Sequence, residues 1–267
     1  MKTKVGIFDS GIGGLTVVAQ VFKHLPGVDV IYFGDTARYP YGPRSAEIVR
    51  RFSFQNVRFL LSKKVDFVLV ACNTASAFAL SDLRMKFKVP MMGVIEPGAR
   101  AAVKISKNKR IGVIGTVGTI ASRSYPEAIR KIDKDMKVFA YACPLLVALA
   151  EEGCINKQAT GLIVGEYLKP LIRKKVDTLI LGCTHYPLLK KVIAGIVGQE
   201  VRLVDSSETI ALELKRRLAP KGMGGHAKNK GTHTFFVSDA PQRFMRVSEK
   251  FLGRRISKVQ KVEIDRY

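Results

Sequence analysis

Short apolar runs that alternate with longer helical patterns constrain the fold of this chain more than any other feature. Continuous Val, Ile and Leu runs are typical of strands buried on both faces of a parallel sheet. Strands that alternate with helices indicate parallel sheets wrapped by helices. We therefore predict an α/β fold with mostly parallel sheets. In the first part of the chain the runs lie at residues 5–8, 28–33, 67–71 and 91–94, and helical patterns lie at 15–24, 46–61 and 75–87.

The same pattern restarts later in the chain. Residues 109–119 echo residues 4–10, and residues 177–184 (DTLILGCT) echo residues 66–74 (DFVLVACNT). This similarity predicts a weak internal duplication, with chance resemblance as the alternative. If the duplication is real, each half is an α/β unit with one cysteine at the carboxyl end of a strand. Open α/β sheets bind their ligands at that edge.

Composition limits the class of protein. The chain has 267 residues, of which 47% are hydrophobic, so it can bury a substantial core in one large or two small domains. We find no apolar run of about 18 residues and no signal-peptide pattern, and we expect a cytoplasmic protein with no membrane partner.

The four cysteines include no Cys-x-x-Cys pair, which argues against a zinc site, and a disulfide framework is not expected in a cytosolic chain.

The formal net charge of +23 fits a nucleic-acid partner, a membrane surface or a strongly solvated surface. The basic residues are spread along the sequence, and no single arm or low-complexity tail holds them. We therefore expect a basic surface rather than a dedicated nucleic-acid partner. Examples of basic runs are residues 104–110, 169–175, 215–221 and 243–261.

Two cysteines end predicted strands and are followed by polar residues. Cys72 precedes Asn73 and a helix, whose exposed N–H groups favour an anion, so we expect its thiol pKa to be lowered from about 8.5. Cys183 precedes His185 by two positions, an arrangement used in nucleophilic catalysis and proton transfer. The alternatives are a small buried hydrophobe at Cys72 and a structural turn at His185.

Three further segments carry candidate polar groups. Asp9 ends a strand before a glycine turn that opens a helix, so it is either a general base or part of a helix cap. Residues 35–43, with two prolines and a glycine, form a loop of the kind that carries ligand contacts. An apolar helix ends at Glu151 and Glu152, where acidic groups oppose the helix dipole. A solvated helix end explains these two acids equally well.

Five segments together resemble the glutamate racemases and follow the family's order over most of the chain. The part from Asp205 to the end resembles the family's closing segment more loosely. Aspartate and hydantoin racemases share the two-cysteine plan but not this full set. The five segments are residues 6–14 (GIFDSGIGG), 40–42 (PYG), 71–76 (ACNTAS), 93–97 (GVIEP) and 182–187 (GCTHYP).

The resemblance implies a cofactor-independent racemase, without pyridoxal phosphate or metal, that interconverts L- and D-glutamate for peptidoglycan and forms a homodimer. Cys72 would take the α-proton from D-glutamate and Cys183 from L-glutamate, assisted by Asp9, Glu151 and His185. The choice of Glu151 over Glu152 follows its spacing to Cys183. The implied substrate contacts are Asp9, Ser10, Tyr41, Gly42, Asn73, Thr74, Thr184 and His185, with Thr116 and Thr119 on a further loop.

The resemblance also implies two pseudo-symmetric α/β domains with the active site in the cleft between them. The first domain would comprise residues 1–96 and 207–267, and the second residues 97–206. Three other functions remain open. One is a racemase for another acidic amino acid such as aspartate, and one is a nucleic-acid-binding or anion-binding protein with structural cysteines. The third is a cysteine hydrolase that uses Cys183 and His185 and leaves no purpose for Cys72.

Overall fold

The structure, a computed structural model, describes residues 2–219 and 230–267. Parallel strands and covering helices alternate along these residues, which confirms the predicted α/β class. No helix in the described residues is long and apolar enough to span a membrane. The strands are β1 (Lys4–Asp9), β2 (Asp29–Gly34), β3 (Phe67–Val70), β4 (Met91–Gly93), β5 (Arg110–Gly115), β6 (Lys137–Ala142), β7 (Thr178–Gly182), β8 (Arg202–Asp205), β9 (His233–Val237) and β10 (Gln260–Lys261).

The helices differ from the predicted pattern at one point. The pattern over residues 75–87 forms two helices that meet at Ala79, and no Gly or Pro marks this break in the sequence. The helices are α1 (Leu15–His24), α2 (Ala46–Ser62), α3 (Asn73–Phe78), α4 (Leu80–Lys86), α5 (Ile95–Ile105), α6 (Val117–Ala121), α7 (Ser124–Ile132), α8 (Leu145–Glu152), α9 (Gln158–Arg173), α10 (Lys190–Val197), α11 (Ser206–Leu218) and α12 (Pro241–Leu252).

The two sheets share a topology. The larger has the strand order β10-β9-β2-β1-β3-β4, and the smaller has the order β6-β5-β7-β8. All strand pairs within the described residues are parallel. The order β2-β1-β3-β4 therefore repeats as β6-β5-β7-β8, which is consistent with the weak sequence duplication, although the sequence had not predicted this order. In this shared order of four strands, the third strand of each sheet is followed by a cysteine, β3 by Cys72 and β7 by Cys183.

Helices between the sheets join the two halves. The largest apolar cluster contains residues of both sheets together with Val17 of α1, Ala99 of α5 and Leu214 of α11, all fully buried. This packing turns the carboxyl ends of the two sheets toward one cleft. The strands of the first sheet belong to residues 1–96 and 207–267 and those of the second to 97–206. The domain limits themselves stay a prediction, and residues 220–229 lie outside the described part.

Candidate active site

A cavity of about 430 Å³ lies between the strand ends of the two sheets. It collects most of the candidate residues that the sequence indicated, from both halves of the chain. Two of the candidates, Asp9 and Thr119, do not line it. The lining residues are Ser10, Tyr39, Pro40, Tyr41, Gly42, Pro43, Cys72, Asn73, Thr74, Thr116, Val117, Pro144, Val147, Ala148, Glu151, Glu152, Cys183, Thr184, His185 and Arg243.

Cys72 caps the first turn of α3 with its sulfur. Its Sγ accepts a hydrogen bond from the Ala75 backbone N–H at 3.5 Å and lies 3.7 Å from Ser10 Oγ. Burial and the negative charge of Asp9 outweigh these donors and raise the pKa of Cys72 to about 12. The expected lowering of this pKa is therefore wrong. The helix N-terminus is present, but desolvation and a neighbouring carboxylate exceed its effect.

Cys183 lies in a chain of polar contacts that runs through the second half of the site. Its Sγ is 3.7 Å from His185 Nδ1, and His185 Nε2 is 3.0 Å from Glu151 Oε1. Burial acts to lower the pKa of His185, but hydrogen bonds with Cys183 and Glu151 outweigh it and raise this pKa to about 10. Burial acts to raise the pKa of Glu151, but the hydrogen bond from His185 outweighs it and lowers that pKa. The His185 ring, which lies between Cys183 and Glu151, is therefore held in its protonated form.

Asp9 lies beneath the cavity, where the two halves meet. It is fully buried, and its Oδ2 accepts from the Gly11 backbone N–H at 3.0 Å. Thr184 Oγ1 donates to its Oδ1 at 3.4 Å. Burial raises the pKa of Asp9, although the positive charge of His185 opposes the rise. The buried carboxylate is thus electrostatically coupled to Cys72 and to His185 without lining the cavity.

Three threonine hydroxyls join the halves on one wall of the cavity. Thr74 Oγ1 is 2.8 Å from Thr116 Oγ1 and 3.1 Å from Thr119 Oγ1, and the last two are 3.0 Å apart. Thr116 also caps α6, because its Oγ1 accepts from the Thr119 backbone N–H at 3.2 Å. A backbone bond of 2.8 Å from Gly118 N to Gly42 O adds a second link between the halves. Thr119 lies behind this wall and orients the other two hydroxyls.

Asn73 and Tyr41 also line the cavity, and they differ in the hydrogen-bonding groups that they can offer a ligand. Asn73 Oδ1 accepts from the Tyr125 hydroxyl at 2.8 Å, whereas its buried Nδ2 has no hydrogen-bond partner in the described part of the chain. A buried donor without a partner at a cavity wall suits an incoming carboxylate. The Tyr41 hydroxyl is instead occupied by Asp35 and Asn56. Its phenol therefore stabilises the loop and is not free to bind a ligand.

Glycine 13 is required where α1 approaches the second half. A Cβ at this position would collide with Thr184 and with the ring of His185. Only a residue without a side chain lets the start of α1 pack directly on the segment after Cys183. The glycine turn that the sequence singled out therefore serves contact between the halves.

Sequence reasoning missed Tyr39 and Arg243. The ring of Tyr39 stacks on His185 with centroids 6.2 Å apart, and Arg243 Nη2 lies 3.9 Å from Glu151 Oε2. Tyr39 lies in the loop of residues 35–43, which the sequence did single out. Arg243 lies on α12, where no local motif indicates a site. Of the two adjacent acids, Glu151 bonds His185, and Glu152 lines the cavity as an exposed residue.

Comparison with known proteins agrees with this architecture. The family model described as Asp/Glu/Hydantoin racemase matches residues 15–214, and the chain belongs to this family of racemases. Within it, the chain is 48% identical over 261 residues to a glutamate racemase from Geobacter metallireducens, covering 98% of this chain and 97% of the relative. The glutamate racemases are therefore the branch of the family to which it is similar.

Two solved structures extend this similarity to the fold. The crystal structure of a glutamate racemase isoform from Bacillus anthracis has a TM-score of 0.93 at 42% identity, covering 98% of this chain and 97% of that one. The glutamate racemase from Francisella tularensis, solved in complex with D-glutamate, has a TM-score of 0.92 at 35% identity and covers 100% and 99%. The predicted α/β fold with mostly parallel sheets is thus confirmed and is the fold of these racemases.

We predict that Cys72 is alkylated slowly at neutral pH because its pKa is raised to about 12. Its rate of modification by iodoacetamide, followed by peptide mass spectrometry, should still rise with pH at pH 10. In Asp9→Asn the rise should begin at lower pH, since the charge that raises the Cys72 pKa is removed. Asp239→Asn, at an exposed site, serves as the matched control and should leave the profile unchanged. A plateau already reached at about pH 9 in the wild type would contradict the raised pKa.

We predict that the His185 ring carries two protons at pH 8, because its pKa is raised to about 10. Nitrogen-15 NMR of the ring nitrogens measures this state directly. In Glu151→Gln the ring should lose its proton at lower pH, since one of the groups that raises its pKa is removed. His233, whose pKa burial and Arg254 lower to about 4, supplies an internal neutral control. A neutral His185 ring at pH 8 in the wild type would exclude the charged arrangement.

Proposed function

We propose that this protein is a glutamate racemase, which interconverts L- and D-glutamate by moving the α-proton between two cysteines without a cofactor. The observation that carries the proposal is that Cys72 and Cys183 follow equivalent strands of two sheets with the same topology and line one cavity. Inversion of the α-carbon needs a base on one face and an acid on the other. Two thiols supplied by two facing halves meet this requirement.

In this mechanism Cys72 takes the proton from D-glutamate while Cys183 protonates the opposite face, and the roles exchange for L-glutamate. The α-proton of an amino acid is a very weak acid, so a base with a high pKa gives the transfer a better driving force. The raised pKa of Cys72 supports this role. The ammonium group of the bound substrate would supply the positive charge that stabilises the thiolate in a buried site.

The two thiols have different supporting groups. Cys183 faces His185, which Glu151 holds in place, so the imidazolium can stabilise the thiolate and return a proton to it. Cys72 faces Ser10 and the helix N–H of Ala75, with Asp9 as the nearby charge. We propose that Asp9, Glu151 and His185 assist the thiols, with His185 and Glu151 acting on Cys183, and with the negative charge of Asp9 favouring the protonated forms of Cys72 and His185.

Donors around the cavity can hold the two carboxylates of glutamate. The unpartnered Nδ2 of Asn73 and the hydroxyls of Thr74 and Thr116 form one group of them. Thr119 orients this group from behind, and Tyr41 contributes its backbone and its packing. The D-glutamate bound to the structurally similar racemase from Francisella tularensis supports a glutamate-sized ligand. The remaining proposed contacts are Ser10, Gly42, Thr184 and His185.

The same proposal assigns a cellular role. A racemase of this kind provides D-glutamate for peptidoglycan synthesis in the cytoplasm, and we expect it to act as a homodimer. Glutamate is preferred over aspartate as the substrate because the similar proteins at 35% to 48% identity are named glutamate racemases. Aspartate is the control substrate that separates the two activities.

The decisive assay follows the circular dichroism of purified protein with D-glutamate and, separately, with L-glutamate, with no added cofactor. The wild type should bring both signals to zero, whereas Cys72→Ser and Cys183→Ser should each lose at least about 10³-fold in rate, because one of the two bases is gone. Cys154→Ser, at a partly exposed cysteine that does not line the cavity, is the matched control and should retain full activity. Normal rates in either of the first two variants would exclude a two-cysteine mechanism, and faster decay of aspartate would reassign the substrate.

A second measurement tests for two bases rather than one. During early turnover of L-glutamate in D₂O, the D-glutamate formed should carry deuterium at the α-carbon while the recovered L-glutamate keeps hydrogen. The reason is that one thiol removes the proton and the other delivers a solvent-derived deuteron from the opposite face. Mass spectrometry of the separated enantiomers reads out both pools. Product that retains the original hydrogen would indicate a single base.

A further inference from the structure

Two basic runs that are far apart in sequence lie side by side in the structure. The turn before β5 contains Lys107 and Lys109, and the turn before β7 contains Lys174 and Lys175. The two turns are joined by hydrogen bonds, one of them from Asn108 Nδ2 to the Lys175 carbonyl oxygen at 2.9 Å. The fold therefore places parts of the runs 104–110 and 169–175 on one surface.

The row of cations continues along the same edge of the second sheet. Lys137 begins β6 and lies in register with Arg110 of β5, and Arg202 begins β8. The Arg202 backbone N–H donates to the carbonyl of Asp177 at 2.8 Å, which ties β8 to the turn before β7. The row crosses all four strands of the sheet, because its cations precede or begin each of them. Neighbouring strands lie about 4.8 Å apart. We call the exposed residues Lys107, Lys109, Lys137, Lys174, Lys175 and Arg202 the basic edge.

Few carboxylates neutralise the basic edge. Lys109 pairs with Asp133 at 3.4 Å and with Asp135 at 3.0 Å. The Asp177 carboxylate is occupied by the backbone N–H groups of residues 107 and 108, at 2.6 and 2.7 Å. Within residues 2–219 and 230–267, the other five cations of the edge form no ion pair. Asp177 keeps its negative charge, so the six cations of the edge face three nearby carboxylates and the edge presents a net positive charge to solvent.

The form of the basic edge fits the phosphate backbone of a nucleic-acid duplex. A row of exposed cations meets the regularly spaced phosphates of a duplex and releases their counterions on binding. The aromatic ring near the row, Phe139, is covered by Arg110 at 5.1 Å and Lys174 at 5.8 Å, so it offers no surface for stacking unpaired bases. The cations lie on turns and strand starts, not on the amphipathic helix that interfacial membrane binding uses.

We propose that the basic edge binds the phosphate backbone of double-stranded nucleic acid without reading its sequence. The expectation of a merely basic surface rested on charges dispersed along the chain, and the fold brings two of the runs together. The basic edge lies where the strands of the second sheet begin, and the cavity lies where they end. Strands of four to six residues separate the two by about 13 to 20 Å, so duplex binding and racemisation can be tested independently.

The test measures fluorescence anisotropy of a labelled duplex of roughly 20 base pairs, titrated with the full chain at several salt concentrations. The wild type should bind, with a dissociation constant that rises steeply with salt. The triple variant Lys107→Gln, Lys137→Gln and Lys175→Gln should bind at least about tenfold more weakly. A plot of the logarithm of its association constant against the logarithm of salt concentration should be less steep by about 2 to 3. These changes should not alter racemase activity, which reports the integrity of the fold.

The matched control removes the same charge elsewhere, at Lys23→Gln, Lys86→Gln and Lys88→Gln, all exposed and without ion pairs in the described part of the chain. This variant should keep binding within about threefold of the wild type. An equal loss in both variants would mean that the net charge acts diffusely, and would overturn the basic edge as a site. Absence of duplex binding at about 50 mM salt would also overturn it, as would binding only to anionic phospholipid vesicles.

Discussion

The buried carboxylate of Asp9 is the interaction on which the rest of the site depends. A charge removed from water is costly unless nearby donors and opposite charges compensate it. Here the Gly11 N–H, the Thr184 hydroxyl and the positive charge of His185 do so, and they come from both halves of the chain. The same negative charge raises the pKa of Cys72 and of His185. One buried group therefore contacts both halves and adds to the pKa shifts that burial causes at Cys72 and that hydrogen bonds with Cys183 and Glu151 cause at His185.

Two sheets with the same topology provide two cysteines with different surroundings. Symmetry of the fold brings Cys72 and Cys183 to equivalent strand ends, but the residues that follow them differ. Cys183 has an imidazole and a carboxylate in line with its sulfur, whereas Cys72 has a hydroxyl and a helix N–H. The proposed reaction converts each enantiomer of glutamate into the other. Its two bases therefore differ in their hydrogen-bond partners. Cys72 has no imidazole beside it, and burial is the largest cause of its raised pKa.

The two ends of the second sheet differ in chemistry. The strand ends carry two thiol-bearing residues, hydroxyl-bearing residues and the pair of His185 and Glu151 around a cavity, whereas the strand starts carry a row of exposed cations. Parallel strands make this division possible, because all their carboxyl ends meet on one side and all their amino ends on the other. A second activity at the basic edge would therefore not compete for the space that the substrate needs.

The sequence alone determined the α/β class, most strand positions and the two cysteines at strand ends, because periodicity and turn residues record local burial and backbone conformation. Its motifs, through their family resemblance, also indicated most residues of the cavity. Only the tertiary structure decided the rest. The break at Ala79, the approach of Tyr39 and Arg243 to the site and the adjacency of Lys107 and Lys175 depend on packing between distant segments. The direction of the Cys72 pKa likewise depends on desolvation and on a carboxylate 63 positions away in sequence, and no local pattern encodes either.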